Sequence, residues 1–471
     1  MRTRSPQNCL GRPITTLCGW LLMLCCTSLP AQPAPVIAPI PVSPFEQGEL
    51  LEFLGQHGGG VLISEGLMQK LVGRENVDEG AVRDQVLGAD VVGTQSTRAR
   101  TEFDFYRQPD HAAWYVHLRG VTRNQTTSYT PQAVIRSQGD YRFQLTKQVD
   151  YQGDVLQTRS PAAFMETHQR NLAAHTRADN IPLVGPLVGM AAFVQAEQNR
   201  PLAERIAADR LTRRIAPEFN GQIDIQLANL NGQLKLAGEQ WPTVLGPVPR
   251  ITSRSTDQFG VVALAPGLTQ TQAVPPWADV VPSVAGVSLL LTQNRANQLL
   301  DKLPIKGLEL RDGDVDLFLK RLTVGGLGPA LPSGESPTSL ATLILDSTRP
   351  LSVEFLASEV MIELRSGLRP TLGADIPVQR IRFGITSEET PESVTLNWRI
   401  HDIQPDDPQL SVPAHDLIRE VLKQQIKLRL QPVTIPREIP LPERVANDQF
   451  RKLRLEHLQS QSGWLVIKVS G

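Results

Sequence analysis

Three aspartates that alternate along one short segment have a spacing at which this chain could bind a cation. Asp312, Asp314 and Asp316 are separated by single residues, as the first ligands of a calcium loop are. Such a loop also needs a glycine at its sixth position and a glutamate at its twelfth, but Leu317 and Thr323 stand there. Because Asp312 is followed by glycine, and Asp-Gly is a favoured turn pair, we interpret the segment as a hairpin turn with exposed acids.

The other residues with catalytic potential form no pattern that completes a site. His168 and His175 are seven residues apart, two turns of a helix, but no carboxylate supplies a further metal ligand. The glycine-rich run 325–329 has no strand before it and no helix after it, as a phosphate-binding loop requires. No serine stands in a nucleophile elbow. We therefore expect no catalytic residue, metal or cofactor, and a hydrolase without a recognisable motif is the remaining enzymatic alternative.

The first 31 residues have the features of an export signal. Arginines precede an apolar run at 14–26, and small residues follow it, as before a signal cleavage site. In a helix this run reaches about 20 Å, too short for a bilayer core of about 30 Å. A retained anchor or a buried first helix is the alternative. Lipoprotein anchoring is disfavoured because Leu24 occupies a position that needs a small residue. We expect export to the periplasm, the cell envelope or the medium.

Cysteine usage and charge exclude several classes of function. All four cysteines lie in the first 26 residues, so the mature chain has none, which excludes disulfides and thiolate catalysis. The 47 lysines and arginines balance the 48 acidic residues. Nucleic acid needs a clustered cationic surplus, so it is excluded as a partner. At 471 residues the chain is long enough for two or three domains.

One short pattern occurs twice, at matching points of two halves of similar size. An apolar run ends at Ser64 in the first copy and at Thr292 in the second, and both hydroxyl residues are suited to cap a helix. Apolar residues at helical spacing follow each of them. The repeat predicts one architecture built twice. The residues of the two helical stripes are Leu67, Met68 and Leu71, and Ala296, Leu299 and Leu300.

The elements around these copies follow the same order in both halves. Antiparallel strands with period-two alternation are predicted after each copy, then a long helix, then closing strands. In the first half the strands lie at 103–105, 114–118 and 141–145, with turns at 109–110 and 139–140, a helical region at 160–219, and strands at 223–227, 234–236 and 259–264. In the second half the strands lie at 315–319, 340–345, 351–355, 360–364, 381–385 and 394–400, followed by a helix at 414–430 and strands at 453–455 and 464–469.

One stretch of the predicted helical region is apolar on every side. Ile181 to Val194 reaches about 21 Å as a helix and so cannot span a membrane. We interpret it as a fully buried helix with a kink at Pro186, which is compatible with contact to a bound acyl chain. The arginines at 205, 210, 213 and 214 are interpreted as a solvated helix face, with anionic headgroups as the alternative.

This order of elements resembles the tubular lipid-binding (TULIP) superfamily, and in particular its tandem members, the bactericidal/permeability-increasing and lipid-transfer proteins. The C-terminal stretch is most similar: a helix at 417–430, the proline-bounded step at 439–442, and an apolar strand at 464–467. The strand-to-helix entry at 286–303 is also similar to that family. The cysteine pair and the basic cluster of the animal proteins are missing, so the resemblance does not imply anti-endotoxin activity. It implies instead an uncharacterised exported bacterial relative.

The resemblance implies an α+β fold of two tandem units, each a curved antiparallel sheet wrapped around long helices. The bounds predicted from the sequence are a signal at 1–31, a proline-rich tether and short helix at 32–56, a first unit at 57–270, a linker at 271–283 and a second unit at 284–471.

The first functional hypothesis is an exported, non-enzymatic protein that binds a lipid or another long apolar ligand. The second is a structural or interaction module of the cell envelope, whose tubes are filled by side chains and whose partners are envelope proteins or the envelope surface. The residues expected to line an apolar site are Leu67, Leu71, Leu187, Met190, Phe193, Leu299, Leu417 and Val421.

Overall fold

The computed structural model describes residues 43–153, 155–182, 184–240, 250–264, 273–311, 341–371, 375–406, 412–441 and 450–471. Within them the protein is of the α+β class, and its paired strands are antiparallel. The helices are α1 (Pro44–His57), α2 (Glu65–Val72), α3 (Gly185–Gln240), α4 (Trp277–Val280), α5 (Gln293–Leu300) and α6 (Val412–Arg429). The strands are β1 (Gly59–Ser64), β2 (Arg74–Val86), β3 (Ala89–Phe105), β4 (Ala112–Tyr129), β5 (Ala133–Gln152), β6 (Val155–Thr158), β7 (Ala162–Thr176), β8 (Ile251–Ser255), β9 (Phe259–Leu264), β10 (Gly286–Thr292), β11 (Glu309–Arg311), β12 (Ala341–Leu345), β13 (Leu351–Leu356), β14 (Glu359–Pro370), β15 (Ile376–Glu389), β16 (Ser393–Pro405), β17 (Val433–Pro436), β18 (Glu438–Pro440), β19 (Lys452–Gln461) and β20 (Trp464–Ser470).

A seven-stranded central sheet is built from both halves of the chain. Its strand order is β18-β19-β20-β10-β1-β9-β8. Successive residues of β1 point to opposite faces, and both faces are buried: Val61 and Ile63 belong to one core cluster, and Leu62 belongs to another. In the second cluster, α1 contributes Leu50 and Leu54. The sheet is therefore covered on both sides, and each of the two clusters contains residues from both halves of the chain.

The two copies of the repeated pattern lie side by side at the centre of this sheet. β1 pairs with β10, with Val61 opposite Leu289. The Leu67 N–H donates to Ser64 Oγ at 3.3 Å, which caps α2. The Ser64 hydroxyl also donates to the Gly286 carbonyl at 3.0 Å. The first cap is thus bonded to the second copy.

The second cap repeats this arrangement in the opposite direction. The Arg295 N–H donates to Thr292 Oγ1 at 3.2 Å, and the Thr292 hydroxyl donates to the Gly58 carbonyl at 3.0 Å. Each copy therefore caps its own helix and bonds the backbone of the other. This symmetry is confined to the two copies of the pattern, each with its strand and the helix that it caps. The sheets that follow differ in strand number and the long helices differ in length, with 56 residues in α3 and 18 in α6.

A six-stranded sheet of long strands forms a curled half-barrel after the first copy. The order is β2-β3-β4-β5-β6, and β7 also pairs with β5. The inner face carries large apolar residues at the end near the central sheet and small or polar residues further out. Phe103, Val116 and Leu145 belong to the buried end, whereas Thr97 and Asn124 lie in the outer part and are half-buried. α3 packs chiefly on β7.

The sheet that follows the second copy has seven strands and a shorter helix. Its order is β11-β12-β14-β15-β16-β17, and β13 pairs with β14. Ile381, Phe383 and Ile403 form a small buried cluster on it. From α6, Leu422 and Ile426 pack against this cluster at helical spacing. Each strand predicted in this half lies within an observed strand wherever the structure describes it, whereas β11, β17 and β18 were not predicted.

The strands predicted at 223–227 and 234–236 are wrong, because α3 continues through them to Gln240. Their alternating apolar residues also satisfy a helical period. Leu227 and Leu230 are buried against the sheet, and Ile223 and Leu234 pack beside them, whereas Ile225 is exposed. The sequence of this segment fits both a helical period and a two-residue period. Burial of four apolar positions at helical spacing stabilises the helix.

Two further predictions in the first half are corrected. The helical region predicted at 160–219 begins only at Gly185, and its first part is strand β7. The two histidines predicted on one helix face, His168 and His175, therefore lie on a strand. The turn predicted at 139–140 lies inside β5, where Gly139 faces Asn124 and leaves no room for a Cβ atom, since its nearest contact would be 2.6 Å.

Several predictions fall outside the described residues. These are the signal with its four cysteines, the proline-rich tether up to residue 42, the turn at 312–313 with Asp314 and Asp316 after it, the strand at 315–319 and the glycine-rich run at 325–329. The short helix expected within 32–56 is α1, which begins at Pro44 and ends at His57.

Candidate functional site

The inner end of the half-barrel is filled by side chains. The rings of Phe103 and Trp114 stack at a centroid distance of 5.8 Å, and Phe103 meets Phe105 edge-on at 4.8 Å. From α3, Phe219 and Leu227 close this cluster. Side chains in such an aromatic core are packed as closely as in other protein interiors. An apolar ligand at this end would therefore have to displace side chains.

A buried lysine fixes α3 on this part of the sheet. Lys147 of β5 is only 1% exposed, and its Nζ lies 2.9 Å from Asp224 Oδ1 and donates to the Asn220 side chain. The Asn220 amide in turn donates to Asp224 Oδ2 at 2.8 Å. A buried ammonium needs such partners because its desolvation is costly. The helix is therefore anchored to the sheet by a charged group at this point.

Nearer its start, α3 meets the sheet through polar contacts. The Asn171 amide of β7 donates to Glu197 at 2.9 Å, and the Gln169 N–H donates to Glu204 at 2.8 Å. Ser137 of β5 donates to Asn171 at 2.8 Å. These bonds satisfy the polar groups that α3 turns towards the sheet. The large apolar residues of this part of the helix consequently lie on its other side.

Small residues determine which side of the helix start packs. Gly185, Gly189, Ala192 and Ala196 recur at helical spacing and are buried or half-buried. A Cβ atom at Gly185 would lie 2.7 Å from the Ala178 carbonyl, so the backbones approach closely there. Pro186 stands near the first turn, where its missing N–H needs no acceptor, and the kink predicted at this residue is instead the start of α3.

We give the name apolar face of α3 to the exposed apolar residues in the first turns of α3 and in the turn just before it. Leu187 is 70% exposed and Met190 is 68% exposed. No charged residue occurs between Asp179 and Glu197. Contiguous exposed apolar surface on a soluble protein marks an interaction site. The expectation that 181–194 forms a fully buried helix is therefore wrong for its outer side. The residues of the apolar face are Ile181, Val184, Leu187, Val188, Met190 and Val194.

The residues expected to line one apolar site occupy different environments. Leu67 and Leu71 are fully buried in the core around the central sheet. Leu187 and Met190 belong to the apolar face, and Phe193 beside them is half-buried. Leu299 of α5 is half-buried. The side chains of Leu417 and Val421 lie outside the described part of the chain.

The sequence contained a signal for the orientation that was missed. The glycines and alanines at helical spacing indicate the side on which a helix packs closely against its neighbour. The large residues between them must then point away from that neighbour. The uncharged length of the segment does not give its orientation, whereas the distribution of small and large residues around the helix does.

A surface cleft between α5 and the sheet of the second half is polar. Its volume is about 160 Å³. Asn297, Arg349, Ser352, Glu363 and Arg382 are among the residues that line it. Ligand sites for apolar molecules are lined mainly by apolar side chains, so this cleft does not suit a lipid chain.

Metal and membrane-spanning features are absent from the part of the chain that the structure describes. Among those residues no group of three histidine, cysteine or acidic side chains is arranged to hold a metal ion. None of the described helices is both long enough and apolar enough to cross a bilayer.

Comparison with known proteins gives no family for this chain. No family model matches it, and no curated protein matches it. A crystal structure of lipopolysaccharide binding protein aligns with 88% of this chain and 98% of its own, at 10% identity and a TM-score of 0.31. A TM-score this low establishes neither a shared fold nor a shared function.

Proposed function

We propose that this is an exported, non-enzymatic protein that binds lipid, and that the apolar face of α3 contacts the lipid's acyl chains. The observation that carries the proposal is the exposure of Leu187, Met190 and their neighbours along a segment without charge. Burial of each methylene of a ligand contributes about 0.8 kcal/mol. A helix of this kind can lie at an interface with its apolar side in the acyl region.

The chemistry of the apolar face favours lipid over a protein partner. From Ile181 to Val194 no side chain can donate or accept a conventional hydrogen bond. Protein interfaces usually carry about one hydrogen bond per 100–200 Å². A surface without side-chain donors over three helical turns suits acyl chains, which need none. The nearest charged residues on either side, Asp179 and Glu197, are acidic, so the proposal depends on the apolar side chains and not on a basic cluster.

We further propose that the chain is a distant tandem member of the TULIP superfamily, with two duplicated units. Support comes from the order of elements and from the two caps: Ser64 donates to Gly286, the first residue of β10, and Thr292 donates to Gly58, the residue just before β1. In both halves a strand, a capped helix, an antiparallel sheet and a longer helix follow one another.

The second candidate function is a structural or interaction module of the cell envelope. It is favoured by the aromatic core that fills the inner end of the half-barrel. A filled tube holds its shape without a ligand, and the protein would then act through its surfaces. This alternative predicts a protein that carries no lipid when it is purified.

The test is vesicle flotation with phosphatidylcholine vesicles and with vesicles that also contain phosphatidylglycerol. The variant Leu187→Asp/Met190→Asp removes two exposed contacts of about 1.5–3 kcal/mol each, so we expect at least a tenfold weaker association. Ile225→Asp is the matched control, since Ile225 is 64% exposed on the same helix outside the apolar face.

Equal binding of the double variant and the wild type would refute the role of the apolar face. Loss of binding in the control as well would show that the effect is not specific to that surface. Native mass spectrometry of the purified protein, with lipid extraction, separates a carried ligand from surface contact alone.

A further inference from the structure

The polar cleft of the second half is bounded on one side by α5, which is bonded to the edge of β13. The Asn297 amide donates to the Val353 carbonyl and accepts from the Val353 N–H, both at 2.8 Å. Gln293 Oε1 accepts from the Phe355 N–H at 3.2 Å. These bonds satisfy backbone groups of an edge strand. They also hold the helix beside the sheet, so the two walls of the cleft are joined to each other.

One face of the sheet supplies the second wall. Ser352 of β13, Glu363 of β14 and Arg382 of β15 lie opposite one another across the three strands. Glu354 and Met361 form the next pair on the same face. The Cβ atoms of residues in such pairs are about 5 Å apart. The strand register therefore brings these five side chains together, and all of them line the cleft.

Three arginines share one carboxylate on this wall. Arg382 Nε lies 3.0 Å from Glu363 Oε2, and Arg365 Nε lies 3.2 Å from Glu363 Oε1. Arg380 Nε approaches the same Oε1 at 3.7 Å. A carboxylate has too few acceptor sites for the N–H donors of three guanidinium groups. Glu363 consequently positions Arg382 through its Nε and leaves the terminal Nη donors of that arginine for another acceptor.

A second arginine reaches the cleft from the turn before β13. Arg349 Nε lies 3.6 Å from Asp301 Oδ1, just after the end of α5. Within the described part of the chain, no group accepts a hydrogen bond from the Nη nitrogens of Arg349 or Arg382. Two guanidinium groups with unused donors therefore line one cleft.

The charge further along β13 has the opposite sign. Glu354 is exposed, and among the described residues no cation lies within ion-pair distance of its carboxylate. Arg349 precedes the strand, whereas Glu354 lies beyond its middle. The cleft thus offers cationic donors towards one end and an anionic acceptor towards the other. Apolar atoms of Val353 and Met361 also line it.

We propose that this cleft binds a zwitterionic group in which a phosphate and a primary ammonium are joined by a short carbon link, as in phosphoethanolamine. The phosphate accepts from the Nη donors of Arg349 and Arg382, since guanidinium forks match phosphate oxygens. The ammonium donates to Glu354. A cavity of about 150 Å³ holds one benzene molecule, so a cleft of about 160 Å³ admits a group of this size.

The lining favours this zwitterion over related ones. Quaternary ammonium groups are bound by aromatic rings, and none of the described residues that line the cleft is aromatic. A carboxylate such as that of Glu354 suits the N–H donors of a primary ammonium. A ligand carboxylate occupies one guanidinium fork, whereas two line the cleft. This site lies outside the apolar face of α3 and does not depend on it.

The first experiment is a titration by phosphorus NMR of the protein with O-phosphoethanolamine, inorganic phosphate and phosphocholine at neutral pH. We expect O-phosphoethanolamine to bind about fivefold more tightly than either of the others, because only it has both the phosphate and the N–H donors. Equal affinities for the three compounds would overturn the proposal. Absence of binding would overturn it as well.

The second experiment uses variants of the two ends. Glu354→Gln should weaken the binding of O-phosphoethanolamine by about fivefold but not that of inorganic phosphate, whereas Arg349→Gln should weaken both. Arg369→Gln is the matched control, since Arg369 is equally exposed on β14 but pairs with Glu309 and Asp375 outside the cleft.

An unchanged affinity in Glu354→Gln, or an equal loss in the Arg369→Gln control, contradicts the proposed site. The comparison of the three compounds on the wild-type protein decides the matter if a variant fails to fold.

Vesicle flotation separates a lipid headgroup from the free compound. It is done in the Leu187→Asp/Met190→Asp background, so that the apolar face of α3 does not contribute. Stronger association with vesicles that contain phosphatidylethanolamine than with phosphatidylcholine vesicles, lost on Arg349→Gln, identifies the headgroup as the ligand. Binding of O-phosphoethanolamine without such association identifies the free compound. Absence of both refutes the assignment and leaves the role of the apolar face untouched.

Discussion

The buried lysine that anchors α3 gives a prediction whose size follows from the structure. Asp224→Ala removes the carboxylate 2.9 Å from Lys147 Nζ and leaves a nearly fully buried ammonium with the Asn220 side chain as its remaining protein partner among the contacts described above. Removing one partner of a buried pair typically costs 3–5 kcal/mol. Asp224 itself is 46% exposed, so water can reach the site, and we expect a loss of about 2–3 kcal/mol.

The matched variant Lys147→Met removes the charge that needs the partner. A methionine of similar length fills the space with apolar atoms, and such replacements of buried ion pairs are often close to neutral. We expect a change of less than about 1.5 kcal/mol. In the Lys147→Met background, Asp224→Ala should cost less than about 1 kcal/mol, because no buried charge is left unpaired.

The assay is urea unfolding of the wild type, the two single variants and the double variant, monitored by circular dichroism and tryptophan fluorescence. The m-values are compared first, and the free energies of unfolding after them. A double-mutant cycle then isolates the coupling of the two residues. The reasoning is refuted if Lys147→Met alone destabilises as much as Asp224→Ala, because the lysine would then be a favourable contact in itself. It is refuted equally if Asp224→Ala leaves stability unchanged.

Two further substitutions test the fold. Gly120→Ala should destabilise the protein by about 1–3 kcal/mol through overpacking, since the added Cβ would meet the buried Phe143 ring within 2.2 Å; urea unfolding measures this, and an unchanged midpoint contradicts the packing described. Ser64→Ala should cost about 1 kcal/mol for the lost cap and more for the lost bond to Gly286; thermal unfolding checks it, and a loss no larger than that of an exposed cap such as Ser43→Ala contradicts the role of the second bond.

The local elements around the repeated pattern were predictable from the sequence. An apolar run that ends in Ser64 or Thr292, followed by a stripe at helical spacing, contains both the strand and the cap that starts the helix. These signals act within a few residues, so they do not depend on the rest of the fold. The pairing of the two copies with each other was not predictable, because a strand that is apolar on both faces accepts many partners.

The segment from Ile223 to Leu236 shows where local periodicity is ambiguous. Period two and period 3.6 agree over four or five residues, and only the buried partners decide between them. Leu227 and Leu230 are buried against the half-barrel, and this burial stabilises the helix. Strand β7 was not predicted, for a related reason. It is an edge strand with exposed apolar residues such as Phe164 and Leu172, so its sequence lacks the alternation of apolar and polar residues that is typical of a half-buried strand.

The candidate site shows most clearly the difference between what the sequence determines and what the tertiary structure decides. The sequence by itself determined that 181–194 is uncharged, apolar and too short to span a bilayer, because composition and length belong to the segment alone. Only the tertiary structure decided which neighbour the small side of α3 packs against, and that the opposite side, with Leu187 and Met190, is left exposed. The small side of α3 packs against the strand before it, the polar groups further along bond the sheet, and the large residues are left on the opposite side.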